Sequence, residues 1–207
     1  MVAAITIPTL VMGYKKKVTE VNLLKSYSMI NQAIQLSYVD NGSHKTWGKD
    51  ITNPTAHWTG DEMLNWFNKY LAPYLKYTKL ETNSMLDTSS SGEEYSNETI
   101  DVYLNNGVIF RLQSFNPYDF FFVFDGGKTN KRGFDVFPMR FLDIKGTLKA
   151  EPYWADSLAA AWDGTLDGLK YAELYGCYEA SRGQGMLCSK LIQENGWKIP
   201  EDYPYFK

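Results

Sequence analysis

The sequence predicts an α+β fold: a long N-terminal helix packed on a short antiparallel β-meander, with an irregular C-terminal region. Three observations carry that prediction. Apolar residues recur at spacings of three and four between Val18 and Tyr38. Strand-like runs punctuated by turn residues are concentrated between Thr99 and Leu142. Beyond Ile144 neither period is sustained. With 207 residues, 44% of them hydrophobic and 22% charged, the chain is long enough for one domain with a real core. A net charge of -3 with thinly spread Lys and Arg argues against a nucleic-acid partner, whose affinity would rest on a dense basic surface.

The longest apolar run is Met1 to Gly13, interrupted by Thr6, Pro8 and Thr9. It is shorter than the roughly 20 residues that cross a bilayer. No basic residue precedes it and no small-residue cleavage site follows it, unlike a secretory signal. From Lys15 to Asp40 the spacing predicts one amphipathic helix. Val18, Val21, Leu24, Tyr27, Ile30, Ile34 and Tyr38 form its apolar side, opposite Lys17, Glu20, Asn22, Lys25, Asn31 and Gln35. Asn41-Gly42 supplies the stop. Extended backwards through the apolar run, the helix covers about 40 residues, roughly 60 Å. Pro8 removes one backbone donor and should bend it, and Gly13 weakens it again. The organisation expected is therefore a helix over 1–40 and a globular head over 41–207.

Residues 43–80 hold Trp47, Trp58, Trp66, Phe67, Tyr70, Tyr74 and Tyr77, with a short helix from Asp61 to Leu71 that starts after Gly60 and stops before Pro73. These aromatics fit either a sugar-binding face or the core of a small subdomain, and their density favours the core. Residues 82–99 are polar and turn-rich, which predicts a mobile surface loop.

Ile100–Leu104, the turn Asn105-Asn106-Gly107 and Val108–Gln113 predict a β-hairpin, because Asn and Gly accept the positive φ of tight turns. Tyr118–Phe124 and Phe134–Leu142 read as two more strands, with Pro138 confining the last to an edge or a bulge. One face of such a meander must be covered, and the amphipathic helix is the evident cover. Further on, a helix is expected over 155–162 and another over Cys188–Asn195, ended by Gly196. The aromatics and prolines of Trp197–Phe206 suggest a packed tail.

Cys177 and Cys188 are the two cysteines, eleven positions apart around a Gly-rich stretch. A disulfide is favoured over two unrelated thiols, and would place the domain in an oxidising space. Zinc is disfavoured, since His44 and His57 lie far upstream without ligand-like spacing. Asp125, Asn130 and Asp135 lie in one oxygen-rich segment able to approach Ca²⁺. Lys128, Lys131 and Arg132 in the same segment oppose a cation, so a local turn is the favoured reading and no cofactor is expected. The chain carries no nucleophile elbow, phosphate loop or dinucleotide fingerprint, and the expectation is a protein that is not an enzyme.

The stretch Val2-Ala-Ala-Ile-Thr-Ile-Pro-Thr-Leu-Val, followed by Tyr14-Lys-Lys-Lys and the amphipathic helix, resembles the second half of the N-terminal helix of type IV pilins and type II secretion pseudopilins. Pro8 matches the proline of that helix, and Ala3-Ala4 the small residues before it. The segment from Asp125-Gly-Gly-Lys through Asn130, Gly133, Asp135 and Phe137 is similar to one seen in many bacterial proteins with a prepilin-type start, as is the ending from Cys188 to Pro204. The leader, cleavage glycine, first residue and neighbouring glutamate of the family pattern are missing, as expected of a chain that begins inside the helix.

The resemblance implies a pilin-like subunit whose residues 1–13 are the remainder of a membrane and filament-core segment. Val2, Ala3, Ile5, Ile7, Pro8, Leu10 and Val11 would carry assembly. The expected partners are other pilin or pseudopilin subunits, the secretion or pilus machinery, and the membrane, with an extracytoplasmic head in a bacterium. The three lysines after the apolar run conflict with this placement under the positive-inside rule. The alternative is a secreted carbohydrate-binding module using exposed Trp47, Trp58 or Trp66; an extracytoplasmic hydrolase would instead need clustered carboxylates.

Overall fold

The computed structural model describes residues 3–53, 56–88, 94–154, 162–178 and 185–206. The chain is α+β, with helix α1 over Ala3–Asn41 and a six-stranded antiparallel sheet in the order β1-β2-β3-β4-β5-β6. The strands are β1 (Tyr77–Thr88), β2 (Glu94–Leu104), β3 (Ile109–Gln113), β4 (Asp119–Val123), β5 (Val136–Ile144) and β6 (Thr147–Pro152). Helices α2 (Gly60–Tyr70), α3 (Leu166–Tyr171) and α4 (Cys188–Glu194) complete it. The chain divides into two compact units, one of Met1–Lys25, Phe124–Pro138 and Pro152–Lys207, the other of Ser26–Val123 and Met139–Glu151.

In the second unit the sheet buries Ile100, Val102, Phe110, Leu112, Phe120, Phe122 and Phe141 on one face. Phe120 lies 4.6 Å from Phe141 between ring centroids, and Trp66 of α2 packs edge-on against Phe141 at 5.8 Å. Helix α2 begins at a full capping box: Thr59 accepts from the Glu62 backbone, and the Glu62 side chain accepts from the Thr59 backbone. The opposite face mixes apolar residues such as Ile109 and Val123 with ion pairs. Asp101 faces Arg111 across β2 and β3 and accepts two hydrogen bonds from it, each 2.7 Å. Asp119 and Arg140 pair in the same way between β4 and β5.

The half of α1 in this unit turns Ser26, Ile30, Ala33, Ile34 and Ser37 inward. Its flanking ridge holds the free edge of β6. Tyr38 Oη accepts from Leu148 N–H at 2.7 Å, Asn31 bonds both backbone groups of Ala150, and Tyr27 donates to Glu151 at 3.1 Å. An edge strand otherwise offers its unpaired groups to other chains. Here the helix occupies them.

In the first unit, α1 runs from Ala3 to Lys25 as unbroken helix through Pro8 and Gly13. The C-terminal segment packs through Ile199, Tyr203 and Tyr205, all buried. Leu169 of α3 and Leu191 and Ile192 of α4 add to this second core.

Several expectations need correction. Residues 82–99 are not a surface loop over their described part: β1 and β2 pair in unbroken register from Lys79↔Tyr103 to Thr88↔Glu94. Pro138 is not on an edge strand, for β5 lies between β4 and β6. Tyr153 N–H reaches the Pro138 carbonyl at 3.1 Å just after β6 ends, so the donor that proline lacks falls on the last rung of the ladder. The region after Ile144 contains β6, formed at a two-residue turn in which Lys145 and Gly146 both have positive φ, 54° and 82°. The helix expected over 155–162 lies outside the described residues apart from Trp162.

Candidate functional site

The first candidate surface is the outer side of α1. On its inner side the N-terminal half buries Thr19, Glu20 and Leu23. Its outer side carries Leu10, Tyr14, Val21 and Leu24, spaced by four, seven and three residues and hence on one ridge. Leu10 is 75% exposed, Tyr14 72% and Val21 52%, and Val11 beside them is exposed as well. The sequence reading placed Val21 and Leu24 on the covered side. That assignment fails because apolar residues occur on both sides of this helix, and the covered side is the one with small residues such as Ser26, Ala33 and Ser37. Ser26 there receives a hydrogen bond from Asn106 at 2.9 Å.

Of the assembly residues read from the sequence, Leu10 and Val11 are on the outside of the helix. Ala3, Ile5, Ile7 and Pro8 lie in its helical backbone, and Val2 lies outside the described residues.

The inner side of the same half is fixed by charge. Glu20 is buried, accepts from Ile199 N–H at 3.0 Å, and pairs with Lys198 at 3.4 Å and Lys17 at 3.6 Å. Lys16 donates to the Pro200 carbonyl at 3.2 Å, and Lys15 pairs with Asp125 at 2.7 Å while lying over the Phe134 ring. The lysine run is thus occupied by partners within the chain. Sequence reasoning treated Glu20 as solvent-facing. A glutamate inside a helix gives no local sign of a distant buried partner.

Cys177 and Cys188 form a disulfide, with both residues fully buried and their Cα atoms 4.6 Å apart. Tyr205 donates to the Cys177 carbonyl at 2.8 Å, and Tyr203 to the Gly133 carbonyl at 2.7 Å. Complete burial pushes the Tyr203 phenol well above its usual range. Gly133 has φ +79°, and a Cβ there would sit 2.5 Å from the Cys188 sulfur. The glycine is needed both for its backbone and for the space.

The oxygen-rich segment folds on itself. Asp135 is buried and accepts from Thr129 N–H at 2.7 Å, Thr129 Oγ1 at 2.9 Å and Lys131 N–H at 2.7 Å. Asp125 faces Lys15, and Asp125 and Asn130 both have positive φ. Among the described residues no group of three acidic, His or Cys side chains is placed to hold a metal. Through these bonds Asp135 ties together the turn that precedes β5.

Trp47, Trp58 and Trp66 are 2%, 6% and 4% exposed, so they do not form the open platform that stacking on a sugar would require. His44 is buried and both ring nitrogens face partners: Nδ1 the Tyr38 hydroxyl, Nε2 the Asp143 carboxylate at 3.5 Å. The Asp143 carboxylate can only accept, so Nε2 carries the proton that faces it, and in neutral His44 Nδ1 accepts from the Tyr38 hydroxyl. His57 is held at its Nδ1 by the Phe115 carbonyl at 3.0 Å. These histidines stabilise local structure.

Fold and surfaces together define an α+β protein with a long N-terminal helix, a six-stranded meander and a disulfide-closed C-terminal segment. The chain belongs to a family of unknown function, DUF6613, whose model matches residues 9–206. Neither the curated proteins nor the solved structures include a match to it.

Proposed function

We propose that this chain is a non-enzymatic pilin-like subunit, a pseudopilin or pilin, that assembles through α1 into a type II secretion pseudopilus or type IV pilus-like filament. The observation that carries the reading is the ridge Leu10-Tyr14-Val21-Leu24, apolar and exposed on the side of α1 away from its own core. A monomeric soluble protein gains nothing from such a stripe, whereas a helix that packs against copies of itself buries it. At 39 residues α1 is about 58 Å long at about 1.5 Å per residue, enough to reach several neighbours.

Two further features support the reading. A buried disulfide suits an oxidising, extracytoplasmic compartment. The lysines that conflict with the positive-inside rule have partners in this chain, so their placement follows from folding of the head. Among the described residues no helix is long and apolar enough to cross a membrane. The anchor in this reading is the apolar stretch to which Met1–Gly13 belongs. A carbohydrate-binding module built on an open aromatic platform is disfavoured by the burial of Trp47, Trp58 and Trp66.

Cysteine crosslinking in the native host, with the assembly machinery present, tests the proposal. Leu10→Cys, Tyr14→Cys and Val21→Cys are expected to give ladders of linked oligomers, and Leu23→Cys on the covered side none. Monomer at every outward position would refute assembly through this ridge.

A further inference from the structure

The two edges of the sheet differ. At β6, side chains of α1 occupy the outer backbone groups. At the other edge stands β1, 12 residues long and without proline, in unbroken register with β2 from Lys79, just past a bulge at its start, to Thr88. Such an edge is a template for a further strand. We propose that β1 pairs antiparallel with β1 of a second copy of this chain about a two-fold axis at Asn83, joining two meanders into one sheet. The pairing uses no residue of α1 and does not rest on filament assembly.

Two features call for another strand. Beyond Glu98, whose backbone still bonds Ser114, residues 85–88 and 94–97 form a ribbon of two strands. A two-stranded ribbon is marginal in water, and a third strand is what stabilises one. The second feature is an apolar row. Leu80, Val102, Phe110 and Phe122 stand side by side across four strands; the last three are fully buried, while Leu80, at the edge, is half-buried. An apolar residue beside Leu80 would complete its burial.

The sequence of the strand itself selects the occupant. A two-fold at Asn83 sets position 80 opposite position 86 and position 79 opposite position 87. The first pair is leucine with leucine and continues the buried row; the second is lysine with aspartate. Asn83 meets its own copy, and an amide carries both donor and acceptor. Neighbouring registers lose this match: a two-fold one residue on opposes Glu81 to Asp87, and one residue back opposes Leu80 to Ser84. Glu81 is already satisfied within its own chain, by Lys79 at 2.5 Å and by the Tyr103 hydroxyl at 2.7 Å. Lys79, with three donors, can serve a second carboxylate as well. Because a two-fold contact closes on itself, the product is a dimer and not a longer chain.

Sedimentation equilibrium of the full chain up to about 1 mM tests the pairing. A monomer–dimer equilibrium with Kd of about 100 µM is expected, as for an interface at the small end of the range. Lys79→Asp sets aspartate opposite aspartate, and Asp87→Lys sets lysine opposite lysine. Because the two-fold makes each change twice, each variant alone is expected to dimerise about tenfold more weakly. Mixed in equal amounts, the two variants regain both opposite-charge pairs and are expected to form a heterodimer with about the wild-type affinity. Asn83→Cys is expected to give a disulfide-linked dimer on mild oxidation, and Thr78→Cys, far from the axis, none. A chain that stays monomeric throughout overturns the inference, as does dimerisation that neither charge variant weakens or that mixing fails to restore. Dimers lost in Tyr14→Asp and kept in both β1 variants would belong to the α1 ridge and overturn it as well. So would a monomer whose Asn83→Cys variant links to a foreign protein in the host, which assigns the edge to another strand.

Discussion

Asn31 and Ala150 are paired as two strands would be: Asn31 Nδ2 donates to the Ala150 carbonyl at 2.9 Å, and Asn31 Oδ1 accepts from the Ala150 amide at 3.1 Å. A helix side chain thus completes the outer edge of β6. Asn31→Ala leaves two backbone groups without partners and is expected to cost about 2 to 3 kcal/mol in urea unfolding. Exchange of the Ala150 amide hydrogen should accelerate in the same variant. Unchanged protection at Ala150 would show that the edge is held by something else.

The Tyr38–His44 contact makes a prediction about a proton. With the Asp143 carboxylate able only to accept and Tyr38 donating to Nδ1, neutral His44 carries its hydrogen on Nε2, facing Asp143. Nitrogen-15 shifts of the imidazole read this tautomer directly. Tyr38→Phe strands the Leu148 amide and His44 Nδ1, for an expected loss of about 1 to 3 kcal/mol.

The C-terminal lock is expected to be sensitive to both covalent and steric change. Replacing Cys177 and Cys188 by Ala should lower stability by about 3 kcal/mol, as for a loop of this size. Gly133→Ala places a methyl against the Cys188 sulfur in a left-handed backbone, and should cost about 3 kcal/mol or more with the disulfide intact. Chemical denaturation of the two variants separates the effects.

Lys170 and Asp202, 2.9 Å apart, give a pH dependence of known sign. The Lys170 ammonium holds the Asp202 carboxyl below its usual range, and Asp202 raises Lys170. A lowered carboxyl stabilises above its unfolded pKa and loses that contribution as pH falls through the folded value. The raised ammonium stabilises below its unfolded pKa and loses its contribution as pH rises through the folded one. The pair therefore acts between these limits, and weakly, since Asp202 is half exposed. The stability gap between the wild type and Asp202→Asn should close below about pH 4. A gap that persists in acid would contradict the assignment.

Much of this fold was legible because local rules and tertiary packing agree. The length of α1 and its end at Gly42, the hairpin at Asn105-Asn106-Gly107, α2, α4 and the Cys177–Cys188 bridge follow from spacing and turn chemistry. What was not legible depends on partners. Strand β1 is an edge strand with polar residues on both faces, so it lacks the alternation that marks a half-buried strand. Strand β6 follows a Lys145-Gly146 turn where Asn-Gly would have been the stronger signal. Which side of α1 is covered could not be read, since Leu23 and Leu24 are adjacent and only one is inward. The exposed ridge of the candidate assembly surface was hidden for that same reason.

The most direct test of the central claim is the native N-terminus, read by mass spectrometry from the host membrane or filament fraction. A pilin-like subunit is expected to start at an N-methylated residue about a dozen or more positions upstream of Val2, as an apolar span of about 20 residues requires. An unmethylated start at Met1 in the mature protein would contradict the account.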